Sequence, residues 1–156
     1  MTTITIDSQA VTQALNQLSQ RVTNMQPAMS KIGESIVSWV DLTFRDAEDP
    51  YGNLWAELSP VTIANRINES SKPLNDTGRL KASITKKPYP HEVIVGTNVK
   101  YAPTHQFGAT KGQYATGVPW GNIPARPFFP TEEKGFPDTW EQDILNIIRH
   151  HLESGI

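Results

Sequence analysis

Residues 84–97 read ITKKPYPHEVIVGT, and the architecture follows from this stretch. The β-branched run Val93-Ile94-Val95 predicts a strand over residues 91–97, because such side chains suit the pleated surface of a sheet. Residues 84–87 are its expected hairpin partner. Helical periodicity dominates on both sides, and neither a repeat nor a shift in composition marks a second domain. The order of elements therefore predicts one α+β domain, residues 1–156, with a small antiparallel sheet.

Two amphipathic helices are predicted ahead of the hairpin. Apolar residues at three- and four-residue spacing lie on one helix face, which must pack against something. The first stripe comprises Val11, Ala14, Leu15, Leu18, Val22 and Met25, and the second comprises Met29, Ile32, Ile36, Trp39, Val40 and Phe44. Since Pro27 alone separates the two helices, we expect antiparallel neighbours.

The two ends of the chain carry further signals. Alternation over residues 2–6 predicts a short strand, after which Asp7 is a candidate helix cap, with Ile6 and Val11 as a hydrophobic staple. At the other end, a stripe predicts a terminal amphipathic helix that begins near Asp138 and ends at Gly155. Its members are Trp140, Ile144, Ile147, Ile148 and Leu152.

Turn-forming residues punctuate the middle of the chain. Asp-Pro and Gly-Asn pairs predict a turn-rich loop over residues 46–53. Ser59-Pro60 is typical of a cap followed by a short helix, which we extend to Ile67. Asp76 or Thr77 is expected to cap a helical turn over residues 79–83.

Two segments of the second half resist regular structure. Residues 108–122 carry four glycines, so a long irregular excursion is expected. Residues 123–130, IPARPFFP, contain three prolines, which exclude both a helix and a central strand. An extended edge segment is the remaining interpretation.

Composition excludes several classes of function. A net charge of −2 gives no field for capturing a polyanion, so sequence-specific nucleic-acid binding is not expected. Cysteine is absent, which rules out disulfides and favours folding in a reducing cytoplasm. No apolar run approaches the length of a membrane span, so no membrane partner is expected. Charged residues make up 19% of the chain, below the usual value of roughly 25%, which leaves surface for contacts between subunits.

Signals for catalysis or for a cofactor are weak. The histidines at positions 91, 105, 150 and 151 lack metal-ligand spacing, and His150 and His151 point about 100° apart on a helix. A role beside the helix C-terminus is the simpler expectation for that pair. No nucleophile elbow, P-loop or dinucleotide fingerprint occurs. We therefore expect no catalytic residue, no cofactor and no metal, and we interpret the acidic clusters at residues 46–49 and 132–133 as solvated loop charge.

One basic cluster needs a separate interpretation. Arg79, Lys81, Lys86 and Lys87 lie close together in the sequence. They could face DNA that passes through a ring, but no aromatic residues interleave with them to stack bases. A solvated strand face is the favoured interpretation.

Three ordered groups of residues resemble the phage virion morphogenesis family, which includes tail completion proteins of contractile-tailed phages such as Mu. The first is DPYGNLW at 49–55, and the second is LNDTGRL at 74–80. The third runs from VGT at 95–97 through YA at 101–102 and HQFG at 105–108 to IPARPFF at 123–129. The resemblance covers most of residues 45–130. It implies a subunit of the head-to-tail region, with no known catalytic residues, that assembles as a ring around the DNA channel.

The resemblance supplies candidate interface or motif residues. These are Trp55, Asp76, Thr77, Gly78, Leu80, Tyr101, His105, Phe107, Gly108, Pro124, Arg126, Pro127 and Phe128. The residues themselves indicate that the glycines permit turns or close backbone approach and that the aromatic side chains bury apolar area. For residues 123–130 we expect docking on a neighbouring subunit or on the segment's own sheet edge, since prolines lower the cost of ordering.

The sequence therefore predicts a non-enzymatic structural protein that acts in head-to-tail joining or tail completion. Its expected partners are further copies of itself in a ring and other neck, connector or tail proteins. The expected location is the neck or tail of the virion, after assembly in the host cytoplasm. Two alternatives stay open: a transient capsid assembly factor absent from the mature particle, and a small hydrolase in which His105 and a carboxylate converge in a pocket.

Overall fold

The computed structural model describes residues 8–66, 70–114 and 119–154. Helices lie at both ends of this part of the chain, with a two-stranded antiparallel sheet between them, so the predicted α+β class is confirmed. The elements are α1 (Gln9–Thr23), α2 (Gln26–Asp46), α3 (Pro60–Ala64), α4 (Arg79–Ala82), β1 (Thr85–Pro88), β2 (Val93–Gly96), α5 (Ala102–Phe107) and α6 (Asp138–Ser154). The strand expected over residues 2–6, the cap and staple of Ile6 and Asp7, and the end at Gly155 lie outside the described residues.

The hairpin packs across α2. Thr85 pairs with Gly96 and Pro88 with Val93, which confirms the predicted strand pairing. A Cβ atom at Gly33 of α2 would lie 2.8 Å from Cγ2 of Val93, so helix and hairpin approach closely only because this residue is glycine. Lys86 of β1 donates through Nζ to the Ser30 carbonyl of α2 at 3.0 Å.

The apolar stripe of α2 forms the centre of the core. Ile32, Ile36, Val40 and Phe44 are all buried, as the helical spacing predicts. α6 covers a second side of α2, where Trp140 stacks on Trp39 with 4.9 Å between ring centroids. Each fully buried aliphatic or aromatic side chain contributes roughly 1.5–3 kcal/mol to the free energy of unfolding.

The apolar stripe of α1, which is expected to pack against another surface, is not buried by the described residues of this chain. Val11, Leu15 and Val22 are 54%, 60% and 51% exposed, although their spacing matches that of α2. The reason is geometric: the core of the chain is closed by the hairpin and α6, and no described element covers the apolar stripe of α1. α1 contacts α6 rather than lying antiparallel along α2.

Polar bonds hold the end of α1 against the end of α6. The Arg21 guanidinium donates through Nη1 to the carbonyls of Leu152 at 2.8 Å and Glu153 at 2.7 Å, where a cation also suits the helix dipole. Nε2 of His151 lies 2.9 Å from the Asn24 carbonyl, and since a carbonyl only accepts, this nitrogen donates. His151 is 3% exposed, so it fastens α1 instead of serving as a solvated charge at a helix end.

The predicted turn signals are confirmed, with one correction. The Asp49 carboxylate accepts from the backbone N–H groups of Tyr51 and Asn53, and the Ser59 side chain caps α3 by accepting from the Thr62 N–H at 3.2 Å. The correction concerns α3, which ends at Ala64 and not at Ile67. The Thr77 hydroxyl accepts from the Arg79 N–H at 3.4 Å, as predicted for the turn over residues 79–82, and Gly78, at φ 74°, is the N-cap residue of that turn. Glycine adopts this left-handed backbone conformation more readily than any other residue.

In the ranges that the structure covers, no helix is long and apolar enough to cross a lipid bilayer.

Candidate functional site

The segment over residues 123–130 docks on its own chain through Arg126. The guanidinium is buried and donates through Nε to the Ala56 carbonyl at 2.7 Å and through Nη2 to the Glu57 carbonyl at 2.9 Å. The Arg126 backbone N–H donates to the His105 carbonyl at 2.7 Å. Within the described residues the segment docks on the Ala56, Glu57 and His105 carbonyls and not on the edge of the hairpin sheet. Docking on a neighbouring subunit stays a prediction. The buried guanidinium of Arg126 needs acceptors, and the two carbonyls after Trp55 supply them.

Gln106 holds the next two residues of the segment. Its side-chain oxygen accepts from the N–H groups of Phe128 and Phe129, both at 3.0 Å, and its amide nitrogen donates to the Phe129 carbonyl at 2.9 Å. Phe128 is 1% exposed and packs on Phe44. Sequence reasoning missed Gln106, because a glutamine in a short polar string carries no sign that three backbone groups will need it.

The aromatic candidates divide into two groups. Trp55 and Phe128 are buried, as expected, and both rings pack on Phe44. Tyr101 and Phe107 are 41% and 72% exposed, so the expected burial is wrong for them. In α5 the inner face is taken by Ala102 and Gln106, four residues apart, which leaves Phe107 outside.

Gly108 shows the close backbone approach that was predicted for it. Its φ is 75°, and a Cβ atom there would lie 2.8 Å from the Ile123 carbonyl oxygen. Beyond it, Ala109 and Ile123 form an isolated antiparallel bridge. The described parts of the excursion, 108–114 and 119–122, hold no helix or strand besides this bridge, and Pro124 stays exposed beside it.

Six of the sequence candidates meet in one pocket of about 540 Å³ between α3, α4 and α5. These are Asp76, Thr77, Gly78, Leu80, Tyr101 and His105. Arg66, which follows α3, and Arg79, at the start of α4, complete its charged lining. Residues of the second and third motif groups therefore come together in space, although Leu80 and Tyr101 are 21 positions apart in the sequence.

Positive charge predominates around His105. Burial first, and then the guanidinium charges of Arg126 and Arg66, lower the pKa of His105. Burial and then the charge of Arg66 also lower the pKa of Arg126.

This arrangement does not match a hydrolase dyad. His105 and Asp76 line the same pocket, yet no hydrogen bond joins them, and Nδ1 of His105 has no partner among the described residues. A general base needs an orienting acceptor and a nucleophile within reach. Across the same residues, no three histidine or acidic side chains are grouped to hold a metal ion.

Three side chains of the basic cluster (Arg79, Lys81, Lys86 and Lys87) contact other side chains of this chain. Nζ of Lys81 lies 3.0 Å from an Asp41 carboxylate oxygen, and Lys86 pairs with Glu34 in the same way, both across to α2. Lys87 lies over the ring of Tyr89. Two of the four cations are thus neutralised by α2, which weakens the interpretation of a surface facing DNA.

Comparison with known proteins assigns the class. The model of the phage virion morphogenesis family matches residues 6–153, and the chain belongs to that family. The Mu-like prophage FluMu G protein 2 of Haemophilus influenzae is 33% identical over 147 residues, which cover 94% of this chain and 92% of the relative. No solved structure matches. The resemblance inferred from the three motif groups is therefore confirmed, and the protein acts in phage virion assembly.

Proposed function

We propose that this protein is a non-enzymatic subunit of the head-to-tail region, which completes or joins the tail as a ring around the DNA channel. The uncovered apolar stripe of α1 carries this proposal. It forms a defined surface called here the α1 stripe, comprising Val11, Leu15, Leu18 and Val22, all of them at least 40% exposed. Monomeric proteins seldom leave a contiguous apolar surface of this kind in water.

The spacing of the α1 stripe fits another helix. Val11, Leu15, Leu18 and Val22 follow one another at four, three and four residues, which is the spacing of a helix–helix seam. At 15 residues, α1 is about 22 Å long, too short to be a stable helix without a packing partner. A helical surface of a neighbouring molecule would supply that partner.

A second copy of this chain is the occupant that the charges favour. From Gln9 to Gln20 the helix carries no charged residue, and the guanidinium of Arg21 is occupied by α6 carbonyls. A seam meant for a different partner gains specificity from charges on its flanks, and here they are missing. A stripe that packs on a different surface of the next copy makes a heterologous contact, which closes into a ring when its rotation permits.

The test combines solution assembly with particle assembly. The double variant L15N/L18N places amides in the α1 stripe, and Q13N/Q20N makes matched changes on the opposite face of the same helix. We expect native mass spectrometry to show oligomers for the wild type and for Q13N/Q20N, but monomers for L15N/L18N. At a concentration where the wild type is monomeric, thermal midpoints should agree among the three, because neither leucine belongs to the chain's own core.

In infected or induced cells, L15N/L18N should yield filled heads and separate tails, whereas Q13N/Q20N should yield joined particles. Oligomers and joined particles formed equally well by L15N/L18N would contradict the proposal. Mass spectrometry of purified particles distinguishes a subunit of the virion from a transient capsid assembly factor, because the transient factor would be missing from mature virions.

A further inference from the structure

We propose that the pocket between α3, α4 and α5 binds a carboxylate-bearing segment of a neighbouring virion protein, with Arg66 and Arg79 as its anion-binding groups. The inference deepens the proposed function and rests on it, since the ligand is taken to be another component of the particle. It concerns a different surface from the α1 stripe.

The pocket has the size and lining of a side-chain site. Its volume of about 540 Å³ is large enough to hold several side chains, and it is open to solvent. Its walls come from three separate parts of the chain. Thr62, Thr77 and Tyr101 place hydroxyl groups around it. These groups can donate to carboxylate oxygens while the leucine side chains on the floor exclude water.

The charge of this pocket is not balanced by the described residues. Nη1 of Arg66 donates to the carbonyls of Ser70, at 3.0 Å, and Lys72, which orients the guanidinium without neutralising it. Arg79 is exposed, and no ion pair within the described ranges involves it. Asp76 is the one carboxylate in the lining, against the two arginines, and Arg126 adds a third positive charge behind His105.

A carboxylate fits this charge better than the DNA backbone does. Arginine presents paired N–H donors in a planar fork that matches the two oxygens of a carboxylate. The chain as a whole carries a net charge of −2, which repels an extended polyanion but not a single acidic side chain. A single side chain also fits into a concave pocket more readily than a DNA duplex does.

The probe is the peptide acetyl-Gly-Glu-Glu-Gly-amide, with its glutamine counterpart as the uncharged control. Titration into the full chain, followed by amide shifts in NMR spectra, should perturb Thr77, Gly78 and Tyr101 in a saturable way. We expect the glutamine peptide to bind roughly fivefold more weakly or not at all. R79Q should weaken binding of the acidic peptide roughly three- to fivefold, and R149Q, which removes an exposed arginine from α6, should not.

Three outcomes would overturn the proposal: no shifts at the pocket, equal binding of the two peptides, or shifts there with inorganic phosphate or duplex DNA but not with the acidic peptide. Arg79 is exposed, so R79Q should leave the fold intact, and the amide spectrum of the variant checks this. The two proposals fail separately. Acidic-peptide binding should survive in L15N/L18N, and oligomers should survive in R79Q.

Discussion

The indole Nε1–H of Trp55 donates to the carbonyl oxygen of Pro127 at 2.8 Å, across 72 positions of sequence. Both Trp55 and Phe128 also pack on the Phe44 ring of α2. The first and third groups of motif residues are thus joined at the core. Packing within a single chain therefore explains why these two groups of motif residues occur in one sequence, without any contact to a partner.

Trp55→Phe should lower the free energy of unfolding by about 1–3 kcal/mol, because it keeps most of the ring but leaves a buried carbonyl without its donor. Trp120→Phe is the matched control, since Trp120 is 87% exposed. Urea denaturation followed by far-UV circular dichroism measures both. Equal stabilities of the two variants would show that the bond to Pro127 contributes nothing.

Phe128→Ala should destabilise the isolated monomer by about 3–5 kcal/mol, because it empties a fully buried site against Phe44. The expected effect lies in folding, not in contacts between subunits. Thermal unfolding at a concentration where the chain is monomeric gives the answer. A variant with an unchanged midpoint that has lost only its oligomers would contradict the folding role and assign Phe128 to subunit docking.

Gly108→Ala should cost more stability than Gly112→Ala. Both glycines have positive φ, 75° and 71°, so each substitution carries the backbone penalty of roughly 1 kcal/mol. Only at Gly108 does the new methyl group also meet backbone, with Ile123 O at 2.8 Å and Ala125 N at 2.9 Å. The difference between the two midpoints in urea isolates the close contact, and a difference of zero would argue against it.

Stability should fall on acidification in a way that depends on His105. Burial and nearby guanidinium groups lower the pKa of this imidazole in the folded state below its ordinary value of 6.5. The unfolded chain therefore takes up a proton first, so the contribution is complete above the unfolded pKa and is lost as pH falls through the folded pKa.

Urea midpoints of the wild type and of His105→Gln, compared between about pH 8 and about pH 5, test this sign. The wild type should lose more stability than the variant. A steeper loss in His105→Gln would mean that the folded state favours the protonated ring.

Periodicity located the helices well, but it could not say which stripe the chain itself would cover. The stripes of α1 and α2 have nearly the same spacing, yet α2 lies beneath both the hairpin and α6 while α1 lies beneath neither. That difference depends on long-range packing, which local spacing does not encode. The hairpin was predictable because β-branched residues and a short turn act locally.

The candidate site was predicted as a set of residues but not as a place. Asp76, Thr77, Gly78, Tyr101 and His105 came from separate strings, and only the fold puts them around one pocket. Arg126 was misjudged because its acceptors, the Ala56 and Glu57 carbonyls, lie about 70 positions away in the sequence. A buried arginine between prolines looks the same in sequence as an exposed one.

Cryo-electron microscopy of particles, with this chain located in the density, tests the proposed role most directly. We expect a closed ring of copies at the joint between head and tail, in which Leu15 and Leu18 of each copy are covered by a neighbouring copy. Mature particles that lack the chain, or a ring in which the α1 stripe still faces solvent, would contradict it.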